Sequence, residues 1–302
     1  MTPKKKILVL IILLIALTSL LLFALTFIYS DSDNTQKITV AASIMPQKEF
    51  IEKIAGDKIN VVIMVPSGAD PHTYEPESSK LRQVSQADVY LEVGSGIEFE
   101  LIWMDKLKSM NPEMVVVNSS KGINLIKMED SGSNSAESHL ESESDPHVWT
   151  SPKNAMMMVE NTYEALAKAD PANQNYYYQN KENYLNKLGE LDTEISRELS
   201  GKNNSIMLVY HPAWGYFAKE FGLKQIAIEK EGKEPTPQTM ADIIAMAKEN
   251  DIKVIFISPQ ISRKNADTIA RDIGADVVVI DPLSSNYMEN MENLLKTLKN
   301  QN

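Results

Sequence analysis

Three of the four histidines in this chain, His72, His147 and His211, adjoin a proline, and Asp281 adjoins another. They stand in the runs Asp70-Pro71-His72, Asp145-Pro146-His147, His211-Pro212 and Asp281-Pro282. Proline fixes its own φ and restricts the residue before it, so such pairs end a regular element and hold a side chain at a defined loop position. Three imidazoles and one carboxylate meeting at a point would suit Zn2+, which favours tetrahedral nitrogen, oxygen and sulfur donors. Such a site must lose metal as acid protonates the imidazoles. Taken singly, a histidine beside a proline is most often a structural loop residue. Three of them with a matching aspartate, each following a predicted strand or loop, make a stronger case.

Other residues weigh less. His139 stands among acids and serines and is left out of the set. Trp149 and Trp214 follow His147 and His211 closely and read equally as cleft walls or as core. Glu75 and Glu229 are candidate acceptors for imidazole N–H groups, though solvated surface acids are the commoner case.

Residues so far apart need a framework to meet. β-branched runs at 38–42, 59–65, 89–93 and 114–118 are predicted strands, alternating with amphipathic helices over 46–55, 81–87 and 99–110. The alternation resumes with strands at 206–210, 225–228, 254–257 and 277–280 and helices over 213–221, 237–249, 263–273 and 287–298. That rhythm predicts an α/β fold of two lobes, each a parallel sheet flanked by helices. Ligands in such sheets bind beyond the carboxyl ends of the strands, which is where His72, His211 and Asp281 fall. Ser151-Pro152 opens a helix, Asp170-Pro171 interrupts it, and 172–199 reads as one long helix whose Tyr184, Leu188, Leu191 and Ile195 form an apolar stripe. The predicted divisions are a leader and tether over 1–36, a first lobe over 37–169, a linking helix over 170–201 and a second lobe over 202–302. Within the first lobe, 128–145 is acidic and serine-rich and is predicted to be a surface loop.

The N-terminus differs in kind. After Lys4, Lys5 and Lys6 the run 7–29 carries no charge. It exceeds the apolar core of roughly 7 to 15 residues in a cleavable signal, and a spanning helix needs about 20, so length favours an anchor over a signal that is removed. The lysines put the bulk of the chain outside the cytoplasm. Cysteine is absent, which excludes a disulfide framework and a lipid-modified cysteine. A formal net charge of −11 argues against a nucleic-acid partner and suits a cation.

The runs His72-Thr73-Tyr74-Glu75-Pro76, Asp145-Pro146-His147-Val148-Trp149, Tyr210-His211-Pro212-Ala213-Trp214-Gly215-Tyr216-Phe217 and Asp281-Pro282-Leu283, in this order, resemble the metal-binding lipoprotein family of ABC importers for zinc and manganese. The resemblance covers nearly all of 38–298. It implies a substrate-binding protein with two lobes on a rigid linking helix, little hinge closure, and delivery of metal to a permease with a cytoplasmic ATPase. It puts the ligands at His72, His147, His211 and Asp281, and a histidine at the third position leans toward Zn2+ over Mn2+. Three departures stand out: no lipid-bearing cysteine, an acidic loop with only His139 where many zinc members are histidine-rich, and Ser258-Pro259-Gln260 in place of Glu-Pro-Gln.

A zinc hydrolase is the rival reading, since three histidines with an open fourth position also describe catalytic zinc. Asp281 would close that position, and no His-Glu-x-x-His run supplies a base. A manganese or iron receptor of the same type is the other alternative; zinc would outcompete manganese in vitro at nitrogen-rich sites in any case. A single-chain receptor, monomeric and held by its N-terminal helix, is the expected state.

Overall fold

The computed structural model describes residues 3, 14–19, 37–127, 144–202, 205–229 and 232–300. Met1–Lys37 and Ile38–Asn302 are distinct compact units. In the first, residues 14–19 are helical, with the Thr18 and Ser19 hydroxyls donating to the Ile15 carbonyl at 3.0 and 2.8 Å. No helix among the described residues is long and apolar enough to cross a membrane. Most of the uncharged run 7–29, and residues 128–143 of the acidic loop with His139, lie outside the described residues.

In the second unit, β1 (Thr39–Ala42), β2 (Asn60–Ile63), β3 (Val89–Glu92) and β4 (Val115–Asn118) form a parallel sheet in the order β2-β1-β3-β4. Its helices are α1 (Met45–Ala55), α2 (Ser78–Val84) and α3 (Glu98–Met110). Helix α2 begins a turn earlier than its apolar pattern suggests, because Pro76 ends the preceding loop and Glu77 takes the extended N-cap conformation. Two long helices follow. α4 (Pro152–Ala169) starts on Ser151, whose hydroxyl accepts from the Asn154 N–H at 3.1 Å, with proline at its first position. Pro171–Asn173 is a 3-10 turn, and α5 (Gln174–Leu199) runs on from it. The second sheet has β5 (Ile206–Val209), β6 (Lys224–Ala227), β7 (Val254–Ile257) and β8 (Asp276–Val279) in the order β6-β5-β7-β8, again parallel. α6 (Gly215–Glu220), α7 (Pro237–Glu249), α8 (Arg263–Ile273) and α9 (Tyr287–Lys299) accompany it.

Both sheets are therefore α/β layers with the same strand order, and each reverses direction beside its first strand. Such reversals open a crevice at the carboxyl ends. Strand periodicity of two sends alternate side chains to opposite faces. Val40, Ala42, Val89 and Leu91 face one core, which continues through Met158, Tyr184, Leu188 and Ile195 of α4 and α5 to Met207, Val209 and Phe256 of the second sheet. Ala41 and Tyr90 face an outer core with Phe99 and Leu107. Leu208, Ile255 and Ile257 face another with Ile243 and Ile269. One apolar interior thus runs unbroken from sheet to sheet through the long helices.

Candidate metal centre

The site is built on a local device used three times. Asp70 accepts from the backbone N–H of His72, Asp145 from that of His147, and Asp281 from that of Leu283, each through Oδ1 at 2.9 Å. This is the Asx turn that aspartate makes two residues ahead, with the intervening proline fixing φ. In the first two turns the third residue is a histidine. His211 arrives otherwise, two residues beyond β5, where the Ala213 N–H closes a tight turn onto its carbonyl at 2.8 Å.

The three histidines meet. One ring nitrogen of each lies within 4.8 Å of those of the other two. Ring centroids are 5.5 Å apart for His72 and His147, 5.2 Å for His72 and His211, and 5.0 Å for His147 and His211. Every Nδ1 is engaged by a carboxylate: His72 by Glu98 at 2.5 Å, His147 by Asp145 at 2.8 Å and His211 by Glu229 at 2.5 Å. A carboxylate can only accept, so each neutral ring carries its proton on Nδ1 and keeps the Nε2 lone pair for the common centre. The Nε2 atoms of His147 and His211 are 3.2 Å apart. Two nitrogens about 2.0 Å from a tetrahedral zinc ion stand about 3.3 Å apart, so this pair is already spaced for one.

The pocket deepens toward His147, whose side chain is 7% exposed against 24% for His72 and 20% for His211. Burial pushes the His147 ring down; Asp145 opposes this and the neighbouring His211 and His72 add to it, leaving it below its ordinary value. Burial pushes His72 down as well, but the hydrogen bond and charge of Glu98 outweigh it and leave the ring raised. Glu98 in turn is held low: burial would raise it, and the bond to His72 prevails.

Of the four residues read from the sequence as ligands, His72, His147 and His211 are brought together, while Asp281 is not among the groups that meet. Its Oδ1 is taken up by its own turn and by the Gln260 amide at 3.1 Å. Trp149 is fully buried; its indole donates to the Pro282 carbonyl at 2.7 Å and its ring stands edge-on to His147 at 5.4 Å, so it ties the Asp281 turn to the His147 turn. Trp214 packs on Phe217. Glu229, for which a solvated surface acid is the commoner expectation, accepts from an imidazole instead; Glu75 is exposed. Glu98 was not foreseen. Its one signal was an acid in the first turn of the helix after β3, at the same rim as His72. Gly215 makes room for Asp145, whose Oδ2 would lie 2.4 Å from a Cβ there. Tyr216 adds a brace, its hydroxyl donating to the Asp145 carbonyl at 2.9 Å and accepting from the Ile126 N–H at 3.0 Å.

The family described as ZnuA, zinc-uptake complex component A, periplasmic, matches residues 40–301 of this chain. The chain belongs to that family. ZnuA-type proteins are metal-binding transport receptors, not enzymes. The high-affinity zinc uptake system protein ZnuA of Bacillus subtilis (strain 168) is 33% identical over 267 residues, covering 84% of this chain and 81% of that protein. A crystal structure of ZnuA superposes with a TM-score of 0.80 at 35% identity, over 88% of this chain and 99% of the other. The Zn(II)-bound structure of AdcA from Streptococcus pneumoniae gives a TM-score of 0.72 at 26% identity over 87% of this chain and 57% of AdcA, so this chain spans little more than half of that longer relative.

Proposed function

We propose that this chain is the extracytoplasmic receptor of an ABC importer, that its cargo is Zn2+, and that it hands the ion to a permease driven by a cytoplasmic ATPase. The observation that carries this is the convergence of one ring nitrogen from each of His72, His147 and His211 on three separate loops, with every Nδ1 engaged by its own carboxylate. His72, His147 and His211 supply three donors. Asp281, on the rim of the second sheet, supplies the fourth through the carboxylate oxygen its turn does not use. A nitrogen-rich set favours zinc over manganese, whose preferred donors are oxygen. The lobes 37–169 and 202–302, joined by 170–201, act as a monomer held at the outer face of the membrane by the uncharged run 7–29, with the three lysines before it on the cytoplasmic side.

The test is the metal content of residues 31–302 purified without added metal, beside His211→Ala. One zinc per chain that is lost in the variant is the expected result. A wild-type protein that refuses zinc at micromolar concentration overturns the reading.

A further inference from the structure

Glu100 is a buried acid with no place in the ligand set. It is 6% exposed in the first turn of α3, and it makes no ion pair among the described residues. Its Oε1 accepts from the Val93 N–H at 2.6 Å and from the Ser43 hydroxyl, and its Oε2 accepts from the Gly94 N–H at 2.9 Å. Ser43, fully buried after β1, is also bonded to the Tyr90 hydroxyl at 2.9 Å. Burial pushes the Glu100 carboxyl up to about 7 even though Ser43 and the two amides pull the other way. A group this costly to bury needs a reason beyond filling space, which a methionine would do without the desolvation penalty.

The reason lies in what the segment 93–99 touches. The Ser95 hydroxyl donates to the Pro146 carbonyl at 2.5 Å, next to His147. The Phe99 N–H donates to the Pro71 carbonyl at 3.1 Å, next to His72. Glu98 holds His72 Nδ1. One short turn therefore grips two of the three histidine loops. The turn has a single shape: Gly94 has φ +74°, and a Cβ on it would fall 2.2 Å from the Asn118 side chain. What fastens it to the sheet is Glu100, at the point where the order of strands reverses between β1 and β3.

We propose that Glu100 is a positioning residue of the metal centre, its carboxylate locking the 93–99 turn so that Glu98 orients His72 and Ser95 fixes the His147 loop. The inference rests on reading the histidine triad as the zinc site. His211 is an internal control, because its partner Glu229 belongs to the second sheet, where the Glu229 N–H is bonded to the Tyr210 carbonyl at 3.0 Å.

The experiment compares wild type with Glu100→Gln. Zinc affinity is read by competition with a fluorescent chelator at pH 7.5, and the histidine tautomers of the zinc-free proteins by long-range proton–nitrogen NMR. Glu100→Gln, which turns an amide NH2 toward backbone donors, is expected to bind zinc about tenfold or more weakly, the scale on which supports of metal ligands act. His72 should lose its single Nδ1–H form while His211 keeps its own. A folded variant with wild-type affinity and an unchanged His72 tautomer overturns the proposal, as does loss of both tautomers together, which would mark general loosening. If Glu100→Gln does not fold, Ser43→Ala removes one donor to the same carboxylate; a two- to threefold weaker site with the His72 tautomer disturbed supports the proposal, and no change overturns it. A wild type that binds no zinc sinks the receptor reading itself, whereas zinc-binding wild type with an indifferent variant sinks only the role of Glu100.

Discussion

Each imidazole of the proposed centre is tied to a carboxylate with no ion present, and zinc affinity is expected to depend on that tie. Asp145→Asn keeps an acceptor for His147 Nδ1 but removes the charge; zinc affinity is expected to fall about 10- to 100-fold with the fold intact, measurable by chelator competition. Acid acts through the same rings. Glu98 holds His72 above its ordinary value, so as pH falls this ring takes a proton before the bulk of free histidine would, and the proton must leave for zinc to bind. Affinity is therefore expected to be flat at high pH and to begin falling above the ordinary histidine value, steepening toward about tenfold per pH unit once His72 is protonated, with His147, pushed low by burial, protonating after His72. A pH-independent affinity between pH 8 and 6 would contradict this order. The three histidines that meet could be picked out in the sequence because histidine beside proline at a strand end has few cheap explanations. Asp281 could be named from its Asp-Pro pair but its local bonding could not, since the pair that would lend an aspartate to a metal also builds an Asx turn, and only coordinates show Oδ1 bonded to Leu283 and Gln260. Glu98 and Glu100 carry no distinctive sequence signal, because acids in a first helical turn are ordinarily explained by the helix dipole.

The elements that bear these residues were read from pattern with small errors at their ends. Strands β3 and β7 stand where β-branched runs put them, and α7 and α8 have the bounds that Pro237 and Ser262 dictate, the latter capping with its hydroxyl toward the Lys264 N–H. The long helix starts at Gln174 and not at 172, because Asp170 and Pro171 build a separate 3-10 turn. Its stripe proves to be core: Tyr184, Leu188 and Ile195 are buried in the interior shared by both sheets, and the Tyr184 hydroxyl donates to Glu49 of α1 at 2.9 Å. Leu188→Ala should cost about 2 to 5 kcal/mol, read by chemical denaturation, while zinc stoichiometry stays at one per folded chain. The residues flanking 128–143 are paired, the Asp145 N–H donating to the Ile126 carbonyl at 2.8 Å and Lys127 bridging Ser144. Replacing 129–143 by a short turn should accordingly leave zinc affinity within about threefold; a tenfold loss, about 1.4 kcal/mol, would give that segment a share in the tight site.

At the scale of the molecule, metal held by residues from both sheets should stabilise the whole by mass action, about 4 kcal/mol when zinc exceeds its dissociation constant a thousandfold. Melting curves with and without saturating zinc measure it, and coincident curves would rule out an ion that bridges the sheets. The single interior that continues through α4 and α5 from Val89 to Phe256 has a further consequence. Receptors that clap shut announce their cargo by a change of outline. Here the hinge is filled with packed side chains, and close-packed interiors do not deform smoothly. A loaded molecule and an empty one must therefore present nearly the same silhouette to the transporter, and the message that an ion is aboard has to be written in the few loops around His72, His147 and His211, in their stiffness and in the charge they have gained.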